Sequence, residues 1–72
     1  MKFILTIWVC SFLGSDLCMT PIKYPKTFDS WYECSRAAHT ESKIILSKIG
    51  YKIVNDGKIG TRYVCTEVPP SI

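Results

Sequence analysis

A chain of 72 residues leaves room for one domain and a thin core, because domains this small bury only about 60 per cent of the surface that their unfolded chains expose. Its net charge of +3 comes from nine Lys and Arg scattered among six Asp and Glu, a pattern that serves solubility and offers no concentrated basic block for a nucleic acid. The single histidine and four cysteines, separated by seven, fifteen and thirty residues, argue against a zinc site, which draws its ligands from close pairs, and against a Cys-x-x-Cys redox centre.

The first apolar run, Phe3 to Leu13, admits two readings. Lys2 ahead of it, its length and the small residues Gly14 and Ser15 after it are features of a secretory signal peptide. It is shorter than the roughly 20 residues that span a bilayer. Signal peptidase needs small side chains one and three positions before the cut, yet cutting after Ser15 puts Leu13, and cutting after Gly14 puts Phe12, at the third. A lipid-modified cysteine also lacks its small leading residues, since Asp16-Leu17 precede Cys18 and Trp8-Val9 precede Cys10.

The competing reading is a β-strand. Ile4, Thr6, Ile7, Trp8, Val9 and Phe12 are β-branched or aromatic and suit a pleated surface. Phe3, Leu5, Ile7 and Val9 would point to one face, and Ile4, Trp8, Cys10 and Phe12 to the other. A strand apolar on both sides is usually central. Cleavage near Ser15 would also remove Cys10 and leave an odd number of cysteines.

Leu13 to Asp16 carries turn chemistry, and Leu17 to Ile22 resumes an apolar pattern in which Pro21 marks an edge strand. A three-residue loop over Leu13 to Ser15 opposes Cys10 with Cys18, whereas a two-residue loop at Gly14-Ser15 opposes Cys10 with Met19. Lys23 to Thr27 reads as a polar connection.

Ser30-Trp31-Tyr32-Glu33 is a capping-box signal, with Asp29 adding negative charge at the helix start. The helix is predicted from Trp31 to about Ile49, stopped by Gly50. Trp31, Cys34, Ala38, Ile45 and Ile49 form its buried stripe, flanked by Ala37 and Ile44. Glu41 sits inside the stripe, either at the sheet's rim with its carboxylate in water or as a buried acid answering a partner such as Arg62.

Tyr51 to Val54 is expected to be extended and to pair briefly with the start of the last strand, with a tight turn at Asn55-Asp56-Gly57-Lys58. The last strand, Ile59 to Val68, places Ile59, Thr61, Tyr63, Cys65 and Glu67 on one side and Gly60, Arg62, Val64, Thr66 and Val68 on the other.

These elements assemble as α+β, a β-β-α-β sandwich of one helix on a three-stranded antiparallel sheet, in the order two-one-three with strands at residues 2–13, 17–22 and 59–68. Residues 1–68 form a single domain and 69–72 a disordered tail. Cys34 in the first helical turn is expected to face Cys65, where a bond would close a loop worth roughly 3.5 kcal/mol in the chain-entropy model. The alternative is two buried thiols in a reducing cytoplasm. Cys10 and Cys18 are the second candidate pair. One helix covers one sheet face, so the other exposes apolar groups, either Trp8 and Phe12 or their alternates, beside Val64 and Val68.

The opening Met-Lys-Phe-Ile-Leu run ending in Cys10-Ser11, then Cys18 with Pro21, Phe28-Asp29-Ser30-Trp31-Tyr32-Glu33-Cys34, Gly50 and Tyr63-Val64-Cys65-Thr66-Glu67 together resemble short proteins of unknown function encoded by marine bacteriophages. The resemblance runs from Met1 to Glu67. It implies a phage accessory protein and brings with it no catalytic residue, cofactor or ligand.

The residues favour a small non-enzymatic protein-interaction module, binding a host protein or a second copy of itself through Trp8, Phe12, Arg62 and Val64, since aromatic and arginine side chains dominate binding energy at interfaces. No small-molecule substrate, metal or cofactor is indicated. The alternative is an exported or envelope-associated disulfide protein in which residues 1–15 act as signal peptide or anchor; membrane contact requires residues 3–13 to take that role. The cysteines favour an exported or periplasmic compartment over the cytoplasm of a host cell. A third reading, nucleic-acid binding by Lys52, Lys58 and Arg62 with Tyr51 and Tyr63, rests on a small basic footprint.

Overall fold

The computed structural model describes residues 2–14 and 17–69. Its elements are β1 (Lys2–Ser11), β2 (Leu17–Cys18), β3 (Ile22–Phe28), α1 (Trp31–Ile49), α2 (Tyr51–Gly57) and β4 (Ile59–Val68). β1 is the centre of an antiparallel sheet, as its apolar character on both faces required. β4 pairs with it without interruption from Lys2↔Val68 to Ser11↔Ile59. With that side of β1 occupied along its whole length, β2 and β3 share the other, β2 at Cys10 and Ser11 and β3 from Phe3 to Ile7.

The second strand therefore exists in two pieces and runs further than its apolar residues suggested. Lys23 to Thr27, expected to be a connection, pairs with β1 as part of β3. Pro25 is tolerated there because this is an edge strand and because the register shifts between Ile4↔Thr27 and Thr6↔Lys23. The turn expected from Leu13 falls partly on residues 15 and 16, which lie outside the described residues, as do residues 70–72.

Two backbone bonds set the phase of the ladders. Phe12 N donates to Lys58 O at 3.0 Å on the β4 side, and Met19 N donates to Val9 O at 2.9 Å on the β2 side. Even-numbered residues of β1 thus bond to β4 and odd-numbered ones bond the other way.

Ser30, in an extended conformation, accepts from Glu33 N at 3.1 Å and starts α1 as its sequence signature predicted. Lys2 adds an ion pair to Asp29, which ties the beginning of β1 to the helix start. α1 ends where Gly50 takes φ +100°, a region closed to most side chains, while its N–H satisfies Leu46 O. The chain then forms α2 instead of the expected extended segment and Asp-Gly hairpin turn. After the bend at Gly50, Val54 N donates to Gly50 O and Lys52 reaches Asp56 one turn on, so the polar turn residues serve a short helix. The left-handed residue is Lys58, at φ 52° and ψ 50°, and not Gly57.

The core lies between α1 and the odd-numbered face of β1. Leu5, Ile7, Cys34, Ala38 and Cys65 are buried there, with Phe3, Tyr24, Phe28, Ala37, Ile45 and Tyr63 around them. Trp31 departs from the predicted stripe: it is 55 % exposed at the helix start, where its ring meets Phe3 edge-on at 6.1 Å.

Candidate functional site

Both disulfides are closed. Cys34–Cys65, with a Cα separation of 6.2 Å, crosses from the first turn of α1 to β4 inside the core. Cys10–Cys18 bridges directly opposed residues of β1 and β2, 4.0 Å apart at Cα. Since Val9 and Met19 form the neighbouring hydrogen-bonded pair, Cys10 and Cys18 occupy a non-hydrogen-bonded pair, where Cα atoms approach most closely.

The two bridges lie on opposite faces of the sheet. Cys10 belongs to the even-numbered face of β1, away from α1, and so do Trp8 and Phe12. On β4 the same face carries Arg62 and Val64, with Arg62 directly opposite Trp8 and Val64 opposite Thr6. All four residues singled out for partner binding thus share one face. Phe12 lies diagonally over Gly60: its ring is 2.9 Å from where a β-carbon would stand, so the absence of a side chain there lets the ring settle against β4. Val64 is 40 % and Phe12 44 % exposed, and Trp8 is half-buried. Thr6 and Cys10 are buried between them although, among the described residues, no helix covers this face.

The alternating strand geometry separates the other sets. Tyr63 turns toward α1, where its hydroxyl meets the Ser35 hydroxyl at 2.8 Å, while Arg62 beside it in sequence faces the other way. Lys52 and Tyr51 are on α2, with Lys52 paired to Asp56. The basic and aromatic residues considered for nucleic acid therefore do not form one surface.

On the covered face two hydroxyl pairs follow the core disulfide along α1 and β4: Ser35 with Tyr63, and Thr61 donating to Ser42 at 2.8 Å. Sequence reading passed over them, although Ser35 and Ser42 sit one heptad apart on α1 and Thr61 and Tyr63 alternate with Cys65 on β4. His39 holds its Nδ1 at 2.8 Å from Ser35 O and its ring edge-on to Tyr63 at 5.5 Å. It touches the backbone carbonyl of Ser35 and not the hydroxyl, so the three residues make a helix-to-strand contact without the geometry of a nucleophile and its base.

Glu41 is half-buried at the rim of α1, and the group beside it is Tyr24 on β3. Arg62 stands on the other side of the sheet. Burial, and then the charge and hydrogen bonding of Glu41, push the Tyr24 phenol above its ordinary pKa. The hydrogen bond and charge of Lys2 hold the Asp29 carboxyl below its ordinary range.

Two shallow concavities of about 400 and 430 Å³ lie on the outer side of the helices, the first along Leu46, Tyr51 and Val54, the second along Thr40, Ile44 and Lys48, with Lys43 and Ser47 common to both. Among the described residues no group of three His, Cys, Asp or Glu converges on a point, and no helix is long and apolar enough to cross a membrane. Compared with known proteins, the chain matches no family model, no curated protein and no solved structure.

Proposed function

We propose that this chain is a small, non-enzymatic protein-interaction module that binds through the open face of its sheet. The observation that carries the reading is the convergence of Trp8, Phe12, Arg62 and Val64 on that face, at the centre of a sheet held by two disulfides. A preformed strand surface loses little freedom on docking, and aromatic and arginine side chains are the groups that concentrate binding energy. The apolar strip beside Arg62, on a chain of net charge +3, suits a protein partner with an apolar patch bordered by carboxylates. Taken with the resemblance to phage-encoded proteins, the module is an accessory factor and the partner a host protein.

The test is affinity capture with the oxidised protein, followed by binding measurements on the purified partner. Trp8→Ala is expected to weaken binding by about 30-fold, equivalent to roughly 2 kcal/mol, while Lys43→Ala on the opposite layer leaves it unchanged. Equal binding by wild type and by both Trp8→Ala and Phe12→Ala would remove the open face from consideration.

The closed cysteine pairs favour a second reading, an exported or envelope-associated protein that matures in an oxidising compartment. Cleavage of residues 1–15 as a signal peptide would take away β1, to which β2, β3 and β4 all pair. The mass of the chain recovered from the envelope fraction decides: loss of about fifteen residues supports the signal, and full length supports retention of the strand.

A further inference from the structure

The two edges of the sheet are built differently. On one side of β1 the edge is interrupted: β2 ends at Cys18, Met19 to Pro21 stand between the strands, and β3 carries Pro25 and a shift of register. Short strands, prolines and bulges keep an edge from recruiting another chain. The opposite edge, β4, runs ten residues in continuous register with no proline or bulge. Because even-numbered residues of β4 exchange bonds with β1, the backbone N–H and C=O of Thr61, Tyr63, Cys65 and Glu67 point outward. Among the described residues, no strand pairs with that side.

We infer that β4 is the two-fold interface of a homodimer, in which it pairs antiparallel with β4 of a second copy in a register centred on Val64. The outward row of alternating donors and acceptors is a template for a strand, and the chain's own β4 fits it side chain by side chain. Cross-strand neighbours in that register are Val64 with Val64, Arg62 with Thr66 and Glu67 with Thr61, so valine meets valine and each charge faces a hydroxyl. Tyr63 with Cys65 and Thr61 with Glu67 are then the hydrogen-bonded pairs, occurring twice across the axis. Centring on Tyr63 instead sets Arg62 against Val64 and Glu67 against Ile59, and centring on Cys65 sets Arg62 against Val68. The axis stands perpendicular to the sheet, which keeps both copies of α1 on one side and joins the two open faces into one surface. This pairing uses the edge and does not depend on what docks on the face.

The experiment is sedimentation equilibrium of the oxidised full chain, combined with amide hydrogen exchange. The expected mass is twice the 8.2 kDa of the chain, with the amides of Thr61, Tyr63, Cys65 and Glu67 protected in the dimer and unprotected on dilution. Val64→Lys and Val64→Glu each bring like charges together at the axis and weaken the dimer by about tenfold or more, whereas an equimolar mixture of the two restores it. Exchange is read on the unaltered chain, so the result stands even if a variant fails to close its disulfides. A mass of 8.2 kDa at every concentration overturns the inference. So does a dimer in which these amides stay fast, or protection that appears only when a different protein is added.

Discussion

Each face of the sheet carries a disulfide, and the comparison between them shows what burial adds to a crosslink. On the covered face, Cys34–Cys65 joins elements 31 residues apart in sequence and sits among Leu5, Ile7 and Ala38. On the open face, Cys10–Cys18 joins residues eight apart that the hairpin already brings together. The first constrains tertiary structure. The second fixes the register of one hairpin and stiffens the surface beside Trp8 and Phe12.

The comparison breaks most severely if β1 is removed, since both faces belong to it. A chain of residues 16–72 is expected to remain unfolded, with no cooperative thermal transition and no selective Cys34–Cys65 pairing. A folded, correctly bridged fragment would show that β1 is dispensable and would strengthen the signal-peptide reading. The next effect separates the disulfides. Cys34→Ala with Cys65→Ala is expected to cost roughly 3.5 kcal/mol and Cys10→Ala with Cys18→Ala about 2.5 kcal/mol in the chain-entropy model, read from urea unfolding. The core pair should cost still more than that difference implies, because its removal opens space between α1 and β4. A difference of only about 1 kcal/mol would mean that loop closure alone, and not position, decides.

The smallest effect belongs to the rim of the covered face. Tyr24 has a folded pKa above its unfolded value, so its contribution is fully present below the unfolded phenol value near 10 and is lost as pH rises through the raised folded value. Stability should therefore decline above about pH 10, and Tyr24→Phe should flatten that limb of the profile. Glu41→Gln should lower the Tyr24 titration, followed by phenolate absorbance, toward the ordinary phenol value. An unchanged titration would leave burial as the whole cause.

Which parts of this fold were legible depended on whether their signal was local. The capping sequence at Ser30 and Glu33, the stop at Gly50 and the alternation of β4 all act within a few residues, and each reads directly as structure. The groupings within each strand were legible for the same reason, because a period of two assigns Trp8 and Phe12, or Arg62 and Val64, to a common side. Which side the helix leaves open was not, since that depends on the pairing of β1 with β4 and on where α1 docks. Lys23 to Thr27 was not, because a polar edge strand with a proline owes its pairing to the neighbour β1 and not to its own composition. The short α2 was hidden likewise: Asn55-Asp56-Gly57 is turn chemistry in isolation, and the positive φ at Gly50 with the Ser11 hydroxyl donating to Gly57 O at 2.7 Å gives that segment its place against β4.

The long helix with its cap and the facing of Cys34 toward Cys65 follow from the residues alone, since hydrophobic period and capping chemistry are written in neighbouring positions. The first apolar run, by contrast, suits a strand or a signal peptide equally as a string and becomes a central strand only through its three pairings. The sequence narrowed the second bridge to two registers. Only the tertiary structure decided between them, placed Glu41 beside Tyr24 and left one edge interrupted and the other continuous. Those outcomes depend on which backbone groups of distant segments meet, and hydrogen-bond phase across strands is a property of the assembled sheet.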